Sequence, residues 1–120
     1  MGYMKESQLA RVVKIISPSV LVINQGAQDG ITDLSQFVVF TYDEEIIDPE
    51  TQESLGRLEN VRGRGKVKHL QDRITTIIST MKRKEQSWGQ GFVAGFGPPV
   101  MVDVLVPFQE PQVGDLVRVL

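Results

Sequence analysis

The 120-residue chain contains no cysteine. That excludes disulfides, thiolate zinc sites and cysteine nucleophiles. It has a single histidine, His69. A catalytic or metal-binding imidazole needs partners, and neither a second histidine nor a thiol is there to help, so His69 reads as a packed or surface strand residue. No apolar run approaches the roughly 20 residues of a membrane-spanning helix. The opening stretch, Met1 to Lys14, lacks the apolar centre of a signal peptide, so the chain as written is expected in the cytoplasm. Charge of one sign is also scarce: the net charge is −2 and the isoelectric point about 5.4. That argues against a bulk nucleic-acid binder and leaves room for a local patch. Internal repeats, heptads and low-complexity tracts are missing as well.

What is present is β-strand sequence. Val20–Ile23 and Phe37–Tyr42 are rich in β-branched and aromatic residues and flank a polar link holding Gly26, Asp29, Gly30 and Asp33. Such runs read as two strands and a tight connection. Leu9 to Ile16 carries apolar residues on both sides and reads as a buried strand. Pro18 turns it back into Val20–Asn24, giving a first hairpin. Leu55–Glu59 and Gly65–Gln71 are predicted as separate strands. Ile74 to Thr80 is β-branched at six of seven positions, which favours a strand over the rival helix from Lys68 to Met81. Val100–Val106 and Leu116–Leu120 complete the set, and the last strand is expected to pair with the first, because closure removes an exposed edge.

Seven or eight short strands at regular spacing predict an all-β single domain over residues 1–120. The favoured form is a small closed or partly open barrel of the SH3-like or OB-like kind, with an immunoglobulin-like sandwich as the alternative. Residues 1–8 are expected to fray. Residues 43–56 are expected to protrude as an acidic hairpin arm, turning near Pro49 to Glu53 and pinned to the barrel by Ile46 and Ile47. Residues 82–99, with four glycines and two prolines, are expected to form a long loop.

Four segments resemble one family. They are Ala10–Ile16 (ARVVKII), Asn24–Ile31 (NQGAQDGI), Ile46–Thr51 (IIDPET) with Leu55-Gly56, and Gly65–Gln71 (GKVKHLQ). In that order they are similar to the C-terminal small β-barrel domain of the flagellar assembly protein T family and its uncharacterised bacterial relatives. Val113-Gly114-Asp115-Leu116-Val117 also fits. The resemblance implies a barrel working in binding or assembly rather than catalysis, in the cell envelope or flagellum. It implies a periplasmic site if the chain is an excised domain.

Candidate chemistry comes down to charge and aromatics. Asp43, Glu44, Glu45, Asp48 and Glu50, with Glu53, make the arm acidic. Such a density could hold a hard cation, but the spacing is not that of the twelve-residue calcium loop, and a solvated hairpin is the simpler reading. Paired carboxylates for hydrolysis would need a cleft. Nine of the 13 basic residues fall between Arg57 and Lys84, opposed there only by Glu59 and Asp72. Lys66 and Lys68 should share one strand face, with Arg64 in line and His69 opposite. Arg62, Arg64, Lys66 and Lys68 with Trp88, Phe92 and Phe96 form the candidate partner-binding set. They could meet the acidic arm of another copy head to tail, bind single-stranded nucleic acid by phosphate contact and stacking, or form a solvated face. Arg62-Gly63-Arg64-Gly65 is either an RG-type segment or a bulge needing glycines. Gly89–Gly95 lacks the Lys-Ser/Thr of a phosphate loop, and its flanking aromatics either fold back or make a contact patch. The expectation is a self-associating, non-catalytic interaction or assembly module with no cofactor and no metal, the alternative being an OB-like nucleic-acid binder.

Overall fold

The computed structural model describes residues 9–87 and 100–120. It contains eight strands: β1 (Ala10–Ser17), β2 (Val20–Ile23), β3 (Gln36–Ile47), β4 (Ser54–Leu70), β5 (Thr75–Ser79), β6 (Lys82–Ser87), β7 (Val100–Leu105) and β8 (Leu116–Val119). Six of them close into an antiparallel barrel in the order β1-β2-β5-β4-β3-β8. The last strand pairs with the first, Ala10 opposite Val117, so the barrel itself has no open edge. Among the described residues, β6 and β7 pair only with each other, as a two-stranded ribbon.

Strand alternation sorts the side chains. Phe37 and Val39 of β3 point inward and join Ala10, Val12, Leu21, Ile23, Ile77 and Val117 in the main core. Their neighbours Val38 and Phe40 point outward, and pack with Leu9 and Leu116 into a second, smaller cluster on the outer face. β3 is therefore apolar on both faces over this stretch, and Val38 and Phe40 are buried although they lie outside the barrel.

Each end of the barrel has its own cover. At one end, residues 26–31 make a short 3-10 turn, Ala27–Asp29, and seat Ile31 in the core. Gly26 is required there, because a Cβ would run into the backbone of Gln71, Asp72 and Arg73. The Ala27 and Gln28 amides donate to the Gln71 and Asp72 carbonyls at 2.9 Å each. At the end that holds the β1–β2 turn, residues 106–109 cross the mouth and insert the Phe108 ring. The Phe108 amide donates to the Pro18 carbonyl at 2.9 Å, and the Gln109 amide to the Arg62 carbonyl at 2.8 Å.

Four details differ from the sequence expectation. The connection between β2 and β3 is not tight: residues 24–35 cross the barrel end, and the two strands lie apart in the sheet. The expected strands 55–59 and 65–71 are not separate: residues 55–59 and 65–70 are parts of the 17-residue β4, continuous through Arg62 because a register shift beside Val39 and Phe40 absorbs that residue. Lys82 to Ser87 is strand rather than loop, paired from Lys82–Leu105 to Ser87–Val100; the remainder of the expected loop, 88–99, and the expected frayed start, 1–8, lie outside the described residues. Ile47 does not pin the arm, being 46% exposed, while Ile46 is half-buried.

Candidate functional site

The barrel mouth under Phe108 explains the Arg62-Gly63-Arg64-Gly65 segment. Gly63 and Gly65 lie on the inner face of β4, opposite Val39 and Phe37. A Cβ on Gly65 would sit 3.1 Å from the Phe108 ring, and one on Gly63 would sit 3.0 Å from it while striking Met81. The segment is a bulged strand whose glycines make room for an aromatic plug. Arg62, at the bulge, turns toward Asp115, with Nε 3.4 Å from Oδ2 and both side chains largely buried. The same carboxylate oxygen accepts the Gln112 amide at 2.8 Å. Arg62 is therefore committed inside the fold, and the structure separates it from the exposed basic residues. Beside it lies an open groove of about 420 Å³, lined by Val61, Met81, Val106 and Phe108 with Arg83 at its rim.

The basic strip is smaller than the full set expected. Arg64 and Lys66 are exposed on the outer face of β4. Lys68 is also exposed, but it is the extra residue of a register shift between Val67 and His69, which breaks its strict alignment with Lys66. His69 is exposed beyond it. Lys82 of β6 joins Lys66 across a cleft of about 230 Å³ that Ser79 and Thr80 also line. Arg83 and Lys84 are neutralised locally, by Glu85 at 2.6 Å and Asp103 at 3.0 Å. Trp88, Phe92 and Phe96 lie outside the described residues.

Acidic residues occupy the far half of the β3–β4 hairpin. Asp43, Glu44, Glu45, Glu50 and Glu53 are exposed; Asp48 is half-buried, and its Oδ1 accepts the Glu50 amide at 2.8 Å, which shapes the turn. Among the described residues, no group of three histidine or carboxylate side chains is placed to hold a metal ion.

At the root of this arm the outer cluster continues as a stack. The Tyr42 ring meets Phe40 edge-on, with centroids 5.5 Å apart. Arg57 lies over Tyr42 at 4.8 Å and Arg118 over Phe40 at 4.6 Å. Arg118 Nη2 donates to Glu59 Oε1 at 2.6 Å. That bond raises the Arg118 pKa against the opposing effect of burial, although an arginine stays charged in either case. Exposed pairs of this kind contribute roughly 0.2–1 kcal/mol, so their main effect is to fix where the charges sit.

Sequence reasoning missed three features: the outer cluster, the Phe108 plug and the edge of β4 from Ser54 to Val61 that no strand among the described residues pairs with. The first was visible in the unbroken apolar run Phe37–Phe40. The second had a weak signal in two glycines spaced to share a strand face. The third follows from arm length, which no local pattern states.

Comparison with protein-family models, with curated proteins and with solved structures gives no match.

Proposed function

We propose that this chain is a non-catalytic protein-interaction module that self-associates through the β3–β4 arm. One observation carries the reading: every residue from Pro49 to Val61 is exposed, and large apolar side chains stand among them, Leu55 at 66% and Leu58 at 50% exposure. A long exposed ribbon with apolar side chains is an association surface unless something blunts it. Charge segregation adds to this. The arm's carboxylates lie about seven residues along the sheet from Arg64 and Lys66, or roughly 20 Å at strand spacing, so opposite fields on two copies favour approach. The resemblance to the flagellar assembly barrel supports assembly as the role, and the envelope as its setting. Among the described residues, no helix is long and apolar enough to cross a membrane.

The test is solution mass by light scattering at low and high salt. An oligomer supports the reading, and its weakening in salt supports charge-guided association. A monomer at both salts, at all concentrations, contradicts it.

The second reading is single-stranded nucleic-acid binding, favoured by the Lys66–Lys82 cleft and the exposed Arg64 and Lys68. Phosphate binding falls steeply with log salt, and replacing Lys66 and Lys68 together by Glu should abolish it. Unchanged oligonucleotide binding by that variant would sink this alternative.

A further inference from the structure

The arm has two outer edges, and they differ in what they can accept. From Ser54 to Val61 one edge of β4 is bonded to β3. Among the described residues no backbone bond reaches its other edge over that range; β5 joins only from Gly65 onward, and Gln109 reaches Arg62. An open edge presents a row of amides and carbonyls that a further strand can complete. Leu55, Leu58 and Val61 stand along it, Val61 at 48% exposure.

We propose that two copies of this chain pair antiparallel along the β4 edge, about a two-fold axis at Leu58, joining their arms into one four-stranded sheet. The proposal rests on the self-association reading and names the surface that performs it. Antiparallel pairing centred on Leu58 puts that residue opposite the second copy's Leu58. Arg57 then falls opposite the second copy's Glu59, and Glu59 opposite its Arg57. Leu55 meets Val61, in both directions. Each charge meets its opposite and each large apolar side chain meets another. A slip of one residue either way loses both ion pairs and sets Leu58 against Glu59 or Arg57, so the sequence selects a register.

The other edges lack this complementarity. Self-pairing along β3 beyond Phe40 would bring Asp43, Glu44 and Glu45 against their own kind. The β7 edge, Val100–Leu105, carries one charge, Asp103, and no basic residue to set opposite it in a second copy. On β4 the two charged side chains are also held in place beforehand. Glu59 is fixed by Arg118 and Arg57 by the Tyr42 ring, which reduces the ordering cost of association. On β4, register shifts beside Arg62 and at Leu55 bound the run; a third, between Tyr42 and Glu45, puts the extra residue on β3 opposite Leu58, so β4 itself stays continuous there. The paired segment is therefore short, and the dimer should exchange rather than lock. Because the contact is isologous, it closes at two copies and does not grow.

The absence of cysteine makes a direct test available. Leu58→Cys in the full chain supplies one thiol per copy, and Leu58 is exposed, so the fold should tolerate it. Directly opposed residues of an antiparallel pair have Cα atoms about 4.5–5.5 Å apart, within disulfide range. Under mild oxidation Leu58→Cys should form a disulfide dimer about tenfold faster than Lys66→Cys on the barrel or Val102→Cys on β7, because the thiols are held at high effective concentration. An oligomer in which Leu58→Cys fails to link, or links no faster than the other two, overturns the edge pairing and leaves self-association standing. A chain monomeric at every concentration overturns both. As a second readout, Arg57→Glu should weaken the dimer about tenfold by placing like charges opposite each other twice. Arg57→Glu with Glu59→Arg should restore it, because both pairs re-form with signs exchanged. A single variant as tight as the parent overturns the proposed register.

Discussion

The Phe108 ring and the Gly63 backbone are packed so closely that a Cβ on the glycine would stand 3.0 Å from ring carbon Cδ1. The mouth of the barrel is closed by this fit between a plug and a strand that carries no side chain beneath it. Gly63 also has φ +151°, in the range that favours glycine. Gly63→Ala should therefore cost about 1–3 kcal/mol through crowding and backbone strain. Phe108→Ala should cost about 3–5 kcal/mol through lost burial and the cavity left behind. Urea titration reads both, and a midpoint equal to the parent's for either would contradict the plug.

The ion pair between Arg62 and Asp115 stands at the same mouth, with side-chain exposures of 13% and 4%. Removing one member strands the other's charge where water reaches poorly. Asp115→Ala should destabilise the chain by about 3 kcal/mol. Replacing both, Arg62→Met with Asp115→Asn, should cost less than the single change. Equal losses would show that the pair does not act as a unit.

How far the sequence could be read follows from where each signal is local. The barrel strands were legible because their partners alternate apolar residues against a common core, and because Gly26, Gly30 and Pro18 mark turns by their own backbone needs. Closure of β8 on β1 was legible from the need to bury an edge. β4 was not legible as one strand: two glycines and four charges between Leu58 and Val67 resemble a loop until β3 is seen running alongside them. β6 was obscured for a similar reason. Lys82-Arg83-Lys84-Glu85-Gln86 has neither apolar alternation nor β-branched residues, and its pairing comes from β7, which is distant in sequence. At the site, the basic residues were found by counting charge, but Arg62 was grouped with Arg64 and Lys66 because strand alternation hides a bulge. The carboxylate that binds it, Asp115, lies more than fifty residues away.

The arm and the barrel should be separable. No residue from Asp43 to Leu58 belongs to either core cluster, and Tyr42 lies directly opposite Glu59. Replacing residues 43–58 by Asn-Gly gives a two-residue hairpin of a favoured type. The shortened chain should keep its β-sheet circular dichroism and a cooperative melt, and should be monomeric by light scattering. An unfolded product would show that the arm supports the barrel; a persistent oligomer would move the interface elsewhere.

Arg118→Met tests the stack at the arm's root. It removes the bond to Glu59 and keeps an apolar stem over Phe40. Stability should fall by less than about 1 kcal/mol, and the loss should shrink at high salt. A large, salt-independent loss would mean that the Phe40 cluster depends on the guanidinium for packing rather than for charge.

Solution mass decides first whether the arm is an association surface at all. Light scattering coupled to size exclusion, across a dilution series at low and high salt, should show a species of two chains of 13.4 kDa each. It should dissociate on dilution, and more readily in salt. A 13.4 kDa monomer throughout would contradict self-association through the arm.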